Sequence, residues 1–200
     1  MGDTGFKTSG ISDTTPKNIM FGAGVFYKGC SIEGGKFTVG QVIGATSGGT
    51  KVTITPEYKD IEVDGALVKV EGLTVKIGET ATLETNLVEI TPDLIAQLVA
   101  GTPATADMTI DEETYAHIVS SESIPKNAWV DGVAIVGKTI EGKRVIVLFE
   151  RSLCKSGLTF DGKNKENSVV PATFECYALF NGSHEKLPYH IIYPKTQAAG

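Results

Sequence analysis

The side chains with the most suggestive spacing are acidic. Asp60-Ile-Glu-Val-Asp-Gly65, followed by Glu71, sets oxygen donors at positions 1, 3, 5 and 12 of a loop with glycine at position 6, the spacing of a helix–loop–helix calcium site. Its flanks argue against that chemistry. Such a loop needs a helix on each side, whereas Val52-Thr-Ile-Thr-Pro56 and Leu73-Thr-Val-Lys-Ile77 are strand sequences, and Val68 fills the usually polar position 9. The expected structure is a hairpin turn at Asp64-Gly65 with carboxylates on its wet face. Gly44 to Lys51 comes close to a phosphate-cradling loop, but Gly49 precedes Thr50-Lys51. That is the reverse of the order that aims an ammonium at phosphate and a hydroxyl at magnesium. His184-Glu185 opens a zinc motif whose second histidine would stand where the chain has Pro188. His117, His184 and His190 share no ligand spacing, and there is no Gly-x-Ser-x-Gly elbow. No catalytic residue, metal or cofactor is expected.

Composition narrows the class further. The 200 residues suffice for one domain with its own core. Eighteen Lys and Arg against 24 Asp and Glu leave a net charge of −6, which repels nucleic acid rather than binding it. No uninterrupted apolar stretch exceeds five residues, as at Val145-Ile-Val-Leu-Phe149, so no membrane-spanning helix is expected. Residues 1–18 are polar and lack the apolar core of a secretion signal; Phe6 stands where a myristoylation motif wants Ser or Thr. Cys30, Cys154 and Cys176 are odd in number and widely spaced, which suits small buried hydrophobes in a reducing compartment.

The elements that position these residues are mostly strands. The chain has 22 Thr, 17 Ile and 18 Val against 11 Leu, and β-branched side chains favour pleated surfaces over helices. Strands are expected over residues 19–27, 37–43, 51–55, 73–87, 128–140, 144–153, 169–180 and 187–193, with Gly44 to Gly49, Glu141-Gly142 and Asn181-Gly182 as hairpin turns. In residues 73–87, Leu73, Val75, Ile77, Ala81, Leu83 and Leu87 share one parity, and Thr74, Lys76, Thr80, Thr82, Glu84 and Asn86 the other. That alternation predicts one buried and one wet face, with a bend or bulge at Gly78. A single helix follows, N-capped by Thr91, with Pro92 in its first turn and Gly101 as its stop. Residues 111–119 read as a short second helix. The fold expected is mainly β, a β-sandwich or partly open barrel with one packed helix. A flexible arm (residues 1–18) precedes a single domain (19–194) and a short tail (195–200).

Several stretches, in order, resemble the tail tube (major tail) proteins of long-tailed bacteriophages of the non-contractile, siphovirus type. They are Pro16-Lys-Asn-Ile19 with Phe21-Gly-Ala-Gly-Val-Phe-Tyr-Lys28, Ile43-Gly-Ala-Thr-Ser-Gly-Gly49, Asp60-Ile-Glu-Val-Asp-Gly-Ala66, Glu79-Thr-Ala-Thr-Leu-Glu-Thr-Asn-Leu-Val-Glu-Ile-Thr91, Pro171-Ala-Thr-Phe-Glu175 and Leu187-Pro-Tyr189. The resemblance implies a tail-tube-like fold and a structural, non-enzymatic virion protein. It would be assembled in the cytoplasm of the host bacterium into stacked, hexameric rings around a lumen that carries DNA. It also implies a tape-measure protein inside and distal-tail and tail-terminator proteins at the ends. Six copies at −6 would carry about −36 per ring, which weakens adhesion of DNA to the wall. On this reading Thr80, Thr82, Glu84 and Asn86 line the lumen. The hairpin Gly44, Ala45, Thr46, Ser47, Gly48 and Gly49, with the N-terminal arm, makes contacts between rings. The inner tube of a contractile tail or of a bacteriocin-like particle fits the same residues. The reading from a different class is a monomeric β-sandwich binding or adhesin module, whose sites would expose aromatic rings such as Trp129.

Overall fold

In the computed structural model, residues 10–12, 15–103, 106–162, 164–165 and 167–195 are described. One helical turn, α1 (Thr15–Asn18), leads into β1 (Met20–Lys28). Three short strands follow, β2 (Ser31–Glu33), β3 (Lys36–Thr38) and β4 (Gln41–Val42). The two longest strands, β5 (Thr46–Asp60) and β6 (Thr74–Leu87), precede α2 (Pro92–Leu98). Then come β7 (Thr102–Pro103), β8 (Met108–Ile110), β9 (Glu113–Tyr115) and β10 (Ile118–Val119). β11 (Trp129–Thr139), β12 (Arg144–Cys154), β13 (Val170–Cys176) and β14 (Tyr189–Ile192) complete the chain.

The main sheet is antiparallel, in the order β4-β1-β11-β12-β13-β6-β5. β12 is its hub. One edge pairs with β11 from Lys138↔Arg144 to Trp129↔Leu153. The other edge is divided: Ile146 to Phe149 pair with β14, and Ser152 to Cys154 with β13. Beyond β6 the sheet curls back until Thr50 of β5 lies against Gly24 of β1, without ladder pairing between the two strands. The inside of this curl holds the larger core, with Phe26, Leu83, Phe149 and Phe174 fully buried and Leu94 and Leu98 of α2 closing one side. A second core lies on the opposite face of β11–β12, where Ile32 and Phe37 of the β2–β3 hairpin cover Ala134, Ile146 and Leu148. The central pair is therefore buried on both faces, which is why residues 133–136 and 145–149 are runs of apolar side chains rather than an alternation.

The helix forms as its sequence requires at one end and differently at the other. Thr91 Oγ1 accepts the Leu94 N–H at 3.3 Å, satisfying one of the free donors of the first turn. At the C-terminus it is Ala100, not Gly101, that takes the left-handed conformation (φ 49°), while the Gly101 N–H donates to Ala96 O at 2.9 Å. Gly101 is needed there for a different reason: a Cβ would stand 2.9 Å from Val119 O.

Other expectations are corrected by the pairing. Gly44 to Gly49 is not a hairpin, because β4 before it pairs with β1 and β5 after it pairs with β6. Asn181-Gly182 does not join a hairpin either, since β13 and β14 share an edge of β12 rather than pairing with each other. The helix expected over residues 111–119 is replaced by the β8–β9 hairpin, whose turn residues Asp111 and Glu112 both have positive φ. Residues 37–43 break into β3 and β4. Asp64-Gly65 turns within a longer loop, residues 61–73, rather than closing β5 on β6 directly. The alternation of residues 73–87 holds only from Ala81 onward. Glu57 pairs with Gly78 and Tyr58 with Lys76, so Ile77 is an extra residue that reverses the faces. Of the N-terminal segment, residues 1–9, 13 and 14 lie outside the described residues, as do 196–200 of the tail. Asn18, at its end, is tied to the body through the Tyr193 hydroxyl, which donates to Asn18 O at 2.7 Å.

One glycine is required where the chain leaves β1 beside β11. Gly132 (φ +60°) lets the chain leaving β1 stay close against the edge of β11: the Cys30 N–H donates to Gly132 O at 3.0 Å, and a Cβ at 132 would overlap the Cys30 backbone. Gly132→Ala is therefore expected to cost at least about 2 kcal/mol, from a left-handed side chain added to a steric overlap. Urea unfolding of the variant beside wild type measures this.

Candidate functional site

Burial on β6 from Ala81 to Leu87 alternates strictly, with odd residues inside and even residues outside. Thr82, Glu84 and Asn86 are half-buried and Thr80 is exposed, all on the face turned away from the core. Their neighbours in register extend that face across three strands. Thr55, Thr53 and Lys51 of β5 oppose Thr80, Thr82 and Glu84, while Glu175, Thr173 and Pro171 of β13 oppose Thr82, Glu84 and Asn86. The result is a hydroxyl-rich surface with few charges. Lys51 and Glu84 meet at 2.9 Å, an exposed pair that contributes little to stability.

The Gly-rich segment sits at one end of this face. The Ala45 N–H donates to Glu89 Oε2 at 3.1 Å, and Ala45 O accepts from Val88 N–H at 2.9 Å. Gly44 packs on Glu89 O, Thr46 opposes Leu87 and Ser47 is exposed. Gly48 (φ 76°) and Gly49 (φ 88°) form a bulge, because Thr46 and Thr50 oppose residues only two apart, Leu87 and Thr85. A shallow concavity of about 320 Å³ brings Gly48 and Gly49 together with Glu84, Asn86 and Thr173. Thr80 and Thr82 lie farther along the strand, outside it.

At the opposite end β5 and β6 leave the body as a two-stranded arm, which alternation alone did not reveal. Tyr58, Val75 and Ile77 stand exposed on it, and Leu67 (98%) and Val68 (76%) are almost wholly in solvent at its loop. The loop curls around an open concavity of about 740 Å³ edged by Glu62 and Asp64. Asp60, the first carboxylate of the calcium-like spacing, is already engaged: Lys69 Nζ lies at 2.6 Å and the Thr74 hydroxyl donates at 2.7 Å. Lys69 and Thr74 hold its carboxyl below the ordinary carboxylate range. No group of three or more ligating side chains is found among the described residues.

A buried carboxylate fixes the arm at its root. Glu79, whose side chain is 9% exposed, accepts from Lys76 Nζ and from the Tyr189 hydroxyl of β14, both at 2.8 Å. The extra residue Ile77 is what turns Lys76 and Glu79 to the same side. Lys76, out of place in a purely polar row, thereby gains its partner. The ammonium of Lys76 pulls the Glu79 carboxyl below its ordinary 4.5, against the opposing effect of burial and with help from Tyr189. The same bond pushes the Tyr189 hydroxyl up.

A third concavity, about 770 Å³, lies between Trp129, Arg151, Leu179, Phe180 and His184. Phe180 is exposed there. The Trp129 ring is not an open platform, however: the Arg151 guanidinium lies 5.5 Å over it and Tyr177 meets it edge-on at 5.2 Å. The three cysteines are buried and unpaired with one another, and burial pushes the Cys176 thiol up to about 12, which removes it from thiolate chemistry. Among the described residues no helix is long and apolar enough to cross a membrane. Neither a protein-family model nor a curated protein matches the sequence.

The Glu79 network gives stability a defined pH dependence. Its folded carboxyl is depressed, so its contribution is complete above the ordinary value of 4.5 and is lost as pH falls through the lower, folded value. Glu79→Gln should cost about 1–2 kcal/mol at neutral pH. The gap from wild type should close as pH falls below 4.5, as read from unfolding midpoints across that range.

Proposed function

We propose that this chain is a self-assembling structural protein that forms the hollow tail tube of a long-tailed bacteriophage. Copies close into rings, the rings stack, and DNA passes along the lumen without specific binding. The observation that carries this reading is the arm. Burying a Leu, Val or Ile side chain is worth about 1.5–3 kcal/mol, and Leu67, Val68, Val75 and Ile77 forgo that in the isolated chain. Apolar surface concentrated on a projection is surface built for a neighbour.

Two further features support it. β5 ends the main sheet, so past Thr50, where β1 lies against it, its outer edge has no ladder partner among the described residues. Such an edge invites aggregation unless another chain occupies it in a defined way, and a ring of copies joined edge to edge would satisfy that need. The polar face of β5, β6 and β13, with Thr80, Thr82, Glu84 and Asn86 at its centre, is suited to a wet, non-adhesive lumen. Its hydroxyls bind water, its cation Lys51 is paired with Glu84, and Glu175 repels phosphate. In this arrangement the protein belongs to the virion tail, is assembled in the bacterial cytoplasm, and meets a tape-measure protein inside and closing proteins at the tube ends.

Light scattering and negative-stain microscopy of concentrated protein test the proposal. Rings or hollow tubes of uniform width are expected, and Leu67→Asp/Val68→Asp should stay folded within about 0.5 kcal/mol yet fail to assemble. A wild-type chain that remains monomeric even with tail-tip proteins added would overturn it. In assembled tubes Thr82→Cys should be shielded from a maleimide too bulky for the lumen and react freely in dispersed subunits. Equal reactivity would place that face outside.

A further inference from the structure

We infer that the β8–β9 hairpin of one copy docks on the basic end of β11–β12 in the next, making the contact that propagates along the filament axis. The inference rests on the self-assembly reading above. The antiparallel pairings fix the geometry: β1, β6 and β12 run one way and β11 the other. At one end of β11, Lys138 pairs with Arg144 and Thr139 with Met20. There Lys17, Lys138, Lys143 and Arg144 are exposed, and among the described residues of α1 and of β11, β12 and the turn between them at that end the one carboxylate is Glu141. Met20, Ile140 and Ile191 are uncovered among them.

The β8–β9 hairpin is rooted at the other end. Its base is the β7–β10 pair, and Asn127, just before β11, donates to Gly101 O at 3.1 Å just before β7. The register Met108↔Tyr115 and Ile110↔Glu113 puts Met108, Ile110 and Tyr115 on one face of the ribbon, all nearly half exposed. Its tip and shoulder are acidic, with Asp111, Glu112 and Glu113 together. Apolar ribbon with carboxylates thus stands at one end, and apolar surface with cations at the other. From Pro103 to the tip the hairpin can reach about 26 Å at most, whereas its own basic end lies about 33 Å away along β11. The complementary surface must therefore belong to a second copy. Such a heterologous contact, repeated without closing, makes a filament. The arm loop also carries carboxylates, Glu62, Asp64 and Glu71, but β6 starts at the same end as β12, so the arm leaves the body at the basic end itself.

Charge reversal on the full-length chain tests the pairing by sedimentation velocity and negative stain at low salt. Asp111→Lys/Glu112→Lys and Lys143→Glu/Arg144→Glu should each raise the assembly threshold at least roughly tenfold, and the combined variant should return it to within about threefold of wild type. Melting temperatures of all variants check that the exposed substitutions leave the fold intact. A hairpin reversal that assembles like wild type, or a combined variant that is not rescued, overturns the inference while leaving tube formation standing. Rescue of the basic-end reversal by Glu62→Lys/Asp64→Lys instead overturns it in favour of the arm. Retained assembly with loss of duplex-DNA binding on basic-end reversal assigns that end to nucleic acid and also overturns it. A wild type that never assembles defeats both the inference and the tube reading.

Discussion

β11 and β12 form a strand pair buried on both faces, and the rest of the molecule is arranged around that constraint. A two-sided strand must satisfy every backbone donor and acceptor within the sheet, because neither face offers water. β12 does so by giving one edge wholly to β11 and dividing the other between β13 and β14. The division lets the sheet curl: β13 carries it onward to β6 and β5, while β14 fills the edge left behind. The curl encloses the larger core, α2 closes it, and the β2–β3 hairpin covers the outer face.

The same constraint explains what is left uncovered. β5 and β6 are longer than the core they help to enclose, so their far halves continue beyond it as an arm. Past the Ile77 bulge no layer of the described residues lies over either face, and Val75, Ile77, Leu67 and Val68 are exposed. What keeps the arm from swinging is local and polar, the Glu79 carboxylate gripped by Lys76 and by Tyr189 of β14. That carboxylate is largely buried and paired on two sides, so removing either partner leaves a charge poorly compensated. A projection held in one direction, with apolar side chains on it, is preorganised for a partner and forfeits less entropy on association than a mobile loop would.

Assembly, in this view, uses three kinds of surface that a single copy cannot satisfy: an open strand edge, an apolar arm, and an acidic hairpin at the end opposite exposed lysines and Arg144. Each alone would be an aggregation hazard. On the proposed reading they specify order rather than precipitation, because contacts around a ring would close and contacts along its axis would not. The hydroxyl-rich face of β5, β6 and β13 adds nothing to cohesion and fits a surface kept free for passage.

The sequence by itself determined the mainly β class and several of the local elements. β-branched abundance predicted strands, Thr91-Pro92-Asp93 predicted the start of α2, and the even residues from Thr80 to Asn86 predicted a polar face opposite the core. These depend on neighbours a few positions apart, so short-range pattern is enough. Tertiary structure alone decided which strand pairs with which. Gly44 to Gly49 and Asn181-Gly182 have turn composition, yet each joins strands bound to other partners, because pairing is chosen by edges that meet from distant parts of the chain. It also decided where alternation stops meaning burial. Leu73, Val75 and Ile77 continue the apolar parity of Leu83 and Leu87, but one extra residue reverses their faces and no core reaches them. Asp111 and Glu112 turn a hairpin against their backbone preference, and whether such residues sit in a helix or at a tip is settled by the strands that zip beside them.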